Sequence, residues 1–171
     1  MGTDKAPVGA SNMFKKPAES AGIVSSGIIS FTIPGKPMAW ERSRHSGKIH
    51  FDSKKQTSNK GTLHMYATQA YSGELIDVPI AIKVWAFFPA SKELMKKRPK
   101  EVEAEIIPFT ARPDSDNICK LIGDALNGVL WRDDSLIVDV FIFKRYSMRP
   151  RTEISLDPIV GAKIIDILDG V

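Results

Sequence analysis

Between Pro113 and Phe143 the spacing of apolar residues changes from a helical period to an extended one. Ile118, Leu121, Ile122, Ala125 and Leu126 fall at i, i+3, i+4, i+7 and i+8, which gathers them on one face of a helix. Pro113-Asp114-Ser115-Asp116-Asn117 supplies the start, and Asn127-Gly128 supplies two residues able to take the left-handed conformation that ends helices. Leu136–Phe143 (LIVDVFIF) is β-branched and aromatic, a strand interrupted only by Asp139. A one-faced helix running into such a strand points to a mixed α/β (α+β) domain, with a small mixed sheet packed against helices.

The remaining segments fit that frame. Ile28–Ile33 reads as a strand stopped by Pro34-Gly35, followed by a basic loop, Lys36 to Lys48, and a short strand at Ile49–Phe51. Asp52 or Ser53 caps a predicted helix to about Tyr71, with Gly73 as its stop. Pro79–Phe88 alternates as a second long strand, and Ser91–Glu105 is one charged surface helix. Arg151–Leu156 is expected to lie beside the Leu136–Phe143 strand. Residues 1–27 are small, polar and aperiodic and read as a mobile leader, 28–160 as the folded domain, and 161–171 as a tail. A chain of 171 residues buries roughly 70% of its unfolded surface, enough for one domain without staples.

Charge placement says more than the net value of +4. Lys36–Lys60 carries seven Lys/Arg against two acids, and Lys92–Lys100 carries five against one. Ala111–Val140 reverses the balance, with six Asp against three basic residues. An acidic centre between basic flanks suits an enzyme that holds a polyanion and sets metal ions on it. Other classes drop out. A single cysteine, Cys119, excludes an intrachain disulfide framework and a multi-Cys zinc site, and is read as a packing residue. His45, His50 and His64 lack metal spacing, and no GxxxxGK[ST], HExxH or GxSxG occurs. No apolar run spans a membrane and no secretory signal is visible, so the expected setting is a reducing cytoplasm.

Asp114 and Asp116 stand two apart at the helix entry, and Asp133-Asp134 follows the helix. Three carboxylates plus water make the oxygen-rich shell that Mg²⁺ or Mn²⁺ takes, and such an ion polarises a phosphodiester. Lys120, one turn beyond Asp116, can meet phosphate or pair with Asp116 and Asp124 at i, i+4. Each feature also has a purely structural use. An Asp before a helix caps it, acids in the first turn complement the macrodipole, and Asp-Asp occurs in ordinary turns.

Arg112-Pro113-Asp114-Ser115-Asp116-Asn117, then Lys120, then Asp124-Ala125-Leu126-Asn127-Gly128, then Asp133-Asp134 and Ile137-Val138-Asp139 resembles the RusA family of Holliday-junction resolvases. The likeness extends from about Ile28 to Leu156, including the strand ending in Pro-Gly and the basic loop. It implies a Mg²⁺-dependent, homodimeric endonuclease whose metal-binding aspartates fall on Asp114, Asp116 and Asp134 and whose catalytic lysine falls on Lys120. The preference for Asp134 over Asp133 comes from this likeness. Leu136 departs from the family, where a polar residue usually follows the Asp pair.

The leading expectation is therefore a structure-specific endonuclease that resolves four-way DNA junctions in recombination and repair. Arg42, Arg44, Lys48, Lys54, Lys55, Lys96, Lys97, Arg98 and Arg112 are the candidate phosphate contacts. Two rivals stand beside it: a catalytically degenerate junction-binding protein, and a Mg²⁺-dependent phosphohydrolase of small nucleotides. Paired symmetric nicks call for two sites, hence a two-fold homodimer, for which Trp131, Phe141 and Phe143 are candidate anchors.

Overall fold

A computed structural model describes residues 27–40, 44–46, 49–51 and 53–159. The expected leader and tail, and Arg42, Lys48 and Asp52, lie outside the described residues apart from Gly27.

The elements in chain order are β1 (Ile29–Pro34), β2 (Arg44–Ser46), β3 (Ile49–Phe51), α1 (Lys54–Ala70), β4 (Ile80–Pro89), α2 (Lys92–Lys97) and α3 (Pro99–Glu103). Then come α4 (Ser115–Leu126), a 3-10 turn at Asp134–Leu136, β5 (Ile137–Ser147) and β6 (Arg151–Pro158). Four strands form one sheet in the order β1-β6-β4-β5, and β2 pairs with β3 as a separate hairpin. β4 and β5 run parallel, while β6 is antiparallel to both β1 and β4.

The core lies between the sheet and two helices. Alternate residues of β4 (Ile80, Ile82, Val84, Ala86, Phe88) join Ile29, Phe31 and Ile33 of β1 and Ile154 and Leu156 of β6. Leu63 and Ala67 of α1, and all five periodic residues of α4, close against them. A fully buried aliphatic or aromatic side chain contributes about 1.5–3 kcal/mol, so the α4 face alone anchors that helix firmly. Ser53 caps α1, its hydroxyl accepting from the Gln56 N–H at 3.0 Å.

Several expectations are corrected. Arg151–Leu156 is not the neighbour of the preceding strand: β4 lies between them. A hairpin partner on the outer edge of β5 would leave Ile154 and Leu156 far from the core, whereas between β1 and β4 they are 1% and 0% exposed. The charged segment 91–105 forms two helices, because Pro99 has no N–H to continue the first one. α1 stops at Tyr71 in extended conformation, so Gly73 is not a left-handed terminator. A Cβ at Gly73 would sit 2.5 Å from the Tyr71 hydroxyl, and that close approach explains the glycine. At the end of α4 only Gly128 is left-handed (φ 71°), with Asn127 extended. Trp131 is fully buried in the core and is no interface anchor.

At the far end of the sheet a charge cluster ties the helical insert to β6. The Arg151 guanidinium donates to both Glu105 carboxylate oxygens (2.7 and 2.9 Å) and to Glu153 (2.7 Å), and lies 3.9 Å over the Phe87 ring. Replacing Arg151 with Met leaves two largely buried carboxylates without their cation and should cost about 3–5 kcal/mol. Urea unfolding at neutral pH measures this, and a further Glu105→Gln change should recover part of the loss.

Candidate active site

The approach to α4 is built from the chain between β4 and β5. The Ile107–Phe109 stretch runs along β5, with the Phe109 N–H donating to the Lys144 carbonyl (3.0 Å) and the Tyr146 N–H to the Ile107 carbonyl (3.0 Å). Phe109 stacks on Phe88 with ring centres 3.8 Å apart. The chain then turns through Arg112 and Pro113 into Asp114, the residue that caps α4. Asp114 is extended (φ −74°, ψ 155°), and its carboxylate makes no capping hydrogen bond. The helix therefore does not consume that side chain. Asp116 occupies the first turn, and both carboxylates are exposed at the positive end of the helix.

Lys120 lies one turn further. Its ammonium is 3.9 Å from the centre of the Trp40 ring. Trp40 is held in turn by a backbone bond, its N–H donating to the Asn117 carbonyl at 2.8 Å. The helical pairing of Lys120 with Asp124 is not formed: Asp124 instead faces Lys60 of α1 at 4.0 Å. Lys120 is thus a cation restrained by an aromatic face. Beside it opens a cavity of about 760 Å³, floored by Pro37, Met38 and Trp40 and lined by the cations Lys36, Lys55 and Arg112, with Asp114 and Asn117 at its wall. Cations around a pocket that ends in an exposed carboxylate suit a phosphodiester approaching a metal ion.

Asp134 stands elsewhere. Trp131 bridges back to Asn127 at the C-terminal end of α4, and Asp134 follows three residues later. Twelve residues of helix separate that end from Asp114, so the carboxylates of Asp114 and Asp134 lie on the order of 20 Å apart. Among the described residues no three of the His, Cys, Asp and Glu side chains come together as a metal-holding group. The Asp114–Asp116–Asp134 set does not assemble within one chain. Asp133 caps the 3-10 turn, accepting from the Ser135 N–H at 2.9 Å, and this bonding to Ser135 holds its carboxyl below the usual range. Both carboxylates are exposed, but Asp134 is free of that capping duty. Asp139 is exposed on β5 in register with Ala81.

The other candidate phosphate contacts divide. Lys54 and Lys55 open α1, Lys55 in the cavity wall; Arg44 lies in β2. Lys96, Lys97 and Arg98 end α2 and do not line the cavity. Lys97 pairs with Glu93 (2.6 Å) and Arg98 with Glu101. Two residues near the carboxylates escaped the sequence reading. Trp40 sat in a loop whose partner could not be foreseen, and Lys144 looked like one more basic residue after a strand.

Comparison with known proteins adds the following. The family model described as "Endodeoxyribonuclease RusA" matches residues 34–157. A Bacillus subtilis (strain 168) protein, "Uncharacterized protein YqaN", is 35% identical over 134 residues, covering 75% of this chain and 94% of its own length. No helix among the described residues is long and apolar enough to cross a membrane.

Cys119 reports on the site without any substrate. Burial, and then the Asp116 charge, push its thiol up from the ordinary value. Less thiolate at a given pH means slower alkylation. Iodoacetamide at pH 8 should therefore label Cys119 more slowly than a free cysteine peptide, and Asp116→Asn should speed the reaction. An equal rate in both proteins, read by mass spectrometry, would mean that Asp116 points away from the thiol.

Proposed function

The chain belongs to the RusA family of endodeoxyribonucleases, and from that premise we propose that it is a divalent-metal-dependent nuclease that resolves four-way DNA junctions as a homodimer, in recombination and repair in the cytoplasm. The observation that carries this reading is the exposed Asp114–Asp116 pair beside a cavity lined by Lys36, Lys55 and Arg112. A small nucleotide would not need the further cations at Lys54 and along β2–β3, so a phosphohydrolase is the weaker reading.

In this reading Asp114 and Asp116 hold Mg²⁺ or Mn²⁺, which when bound supplies positive charge at the scissile phosphate. Arg112, Lys36 and Lys55 seat the phosphate backbone, and Lys120, steadied on Trp40, faces the charge that develops on the phosphate oxygens. Asp134 lies too far away to help its own pair. A two-fold partner brings the opposite end of its α4 within reach, so that Asp134 of the partner subunit completes each site. The edge of β5 supports a dimer. Val138, Val140 and Phe141 are 55%, 42% and 45% exposed on the outermost strand of the sheet. Ile107–Phe109 covers this edge only at its far end, and an apolar stretch of edge left open is ordinarily covered by a partner.

A mixing experiment tests the chemistry and the assembly together. Asp116→Asn and Asp134→Asn chains should each be folded, dimeric, able to bind a synthetic four-way junction, and unable to cut it with Mg²⁺. Mixed, they form heterodimers in which one site carries both lesions and the other carries none, so nicking should return without paired resolution. Failure to regain nicking in proven heterodimers would place all three carboxylates in one subunit. A wild-type dimer that binds junctions but never cuts them would be the degenerate binder.

Salt gives an independent check. Junction affinity should fall log-linearly with salt, by about 0.9 in slope per neutralised phosphate. Lys54→Ala with Lys55→Ala should lower the slope and weaken all junction sequences alike. An unchanged slope in filter binding would put the start of α1 off the DNA path.

A further inference from the structure

Lys144 lies on the helix-facing side of β5, in register with Ala86 of β4. Its ammonium donates to the Ala111 carbonyl at 2.9 Å and to the Pro113 carbonyl at 2.6 Å, across 33 and 31 residues of chain. It also lies 5.3 Å from the centre of the Phe109 ring, while the Lys144 carbonyl accepts from the Phe109 N–H. One residue thus grips the approach to α4 twice, by its main chain at Phe109 and by its side chain at Ala111 and Pro113. Both carbonyls belong to irregular backbone, where no helix or strand ladder supplies a donor. The second belongs to the residue immediately before Asp114.

We propose that Lys144 is a positioning residue: by holding the Ala111 and Pro113 carbonyls it sets the backbone that presents Asp114 and Asp116 to a divalent ion. The inference rests on the functional reading above. Its logic is that of outer partners in metal sites, which fix the orientation of the ligands without touching the ion. The residue type suits the task. An ammonium is a compact point charge with three donors that can diverge toward two carbonyls, whereas a guanidinium fork is planar and larger. Because its charge is engaged with backbone oxygens below the site, Lys144 acts on metal occupancy and not on DNA affinity.

Lys144→Met keeps the apolar stem beside Phe109 and removes the donors; Lys144→Arg keeps the charge. Mn²⁺ binding to the DNA-free dimer, followed by electron paramagnetic resonance, should weaken about 10-fold or more in the Met variant and less in the Arg variant. Junction nicking should need correspondingly more Mn²⁺ for half its maximal rate, and excess Mn²⁺ should restore most of that rate. Junction binding in EDTA should match wild type. Wild-type Mn²⁺ affinity in folded Lys144→Met overturns the proposal, and so does lost junction binding in EDTA, which would make Lys144 a DNA contact. If the Met variant does not fold, Lys144→Leu, which also lacks the donors, decides: a wild-type Mn²⁺ half-point there overturns the proposal equally. Asp116→Asn runs alongside. If it cuts normally the functional reading has failed; if it is inactive while Lys144→Met behaves as wild type, only this inference has failed.

Discussion

β4 and β5 are parallel neighbours, and parallel strands cannot be joined by a tight turn. The chain must leave the end of β4, cross the sheet and return to its start before β5 can begin. Every candidate catalytic residue lies on that detour. α4 is the return stroke, pinned by five buried residues. The same connection that satisfies the strand pairing carries Asp114 and Asp116 at one extremity and Asp134 just beyond the other.

Charge follows this geometry. The pair at the head of α4 lies where a helix favours acids, yet the helix uses neither carboxylate to close its own first turn. Asp133, by contrast, is spent on a cap, and Asp124 is turned toward Lys60. Lys120 is kept from its helical neighbours by Trp40. Carboxylates and cations of similar appearance in the sequence are thereby sorted into those that support the backbone and those left available to a ligand. A buried cluster around Arg151 does the opposite work, consuming its charges to hold the helical insert against the sheet.

α4 was legible from its one apolar face and β5 from a nearly unbroken run of β-branched and aromatic residues, and both signals are local. The cap at Ser53 was legible for the same reason. The position of β6 was not, since strand order is decided by where Ile154 and Leu156 find cover, a matter of the whole sheet. The break at Pro99 was in plain view but was outweighed by the helical charge pattern around it. In the site, the family likeness picked out Asp114, Asp116, Lys120 and Asp134 as a set. Only the folded chain revealed that the last of these is at the wrong end of a helix. Trp40 and Lys144 carried no readable signal, because their partners are remote in sequence: Asn117 and Lys120 for the first, Ala111 and Pro113 for the second.

The distance of roughly 20 Å between Asp134 and the Asp114–Asp116 pair also bears on dosage. On the proposed reading, a chain that carries its ligands at both ends of α4 is inert when alone. In the proposed dimer, cutting capacity at low abundance rises with the square of the number of chains, not in proportion to it. A stray copy adrift on a chromosome then does no harm, and a modest rise in expression switches the cell from almost no nuclease to a working supply. In such a dimer dilution itself would serve as the safety catch, with no inhibitor needed.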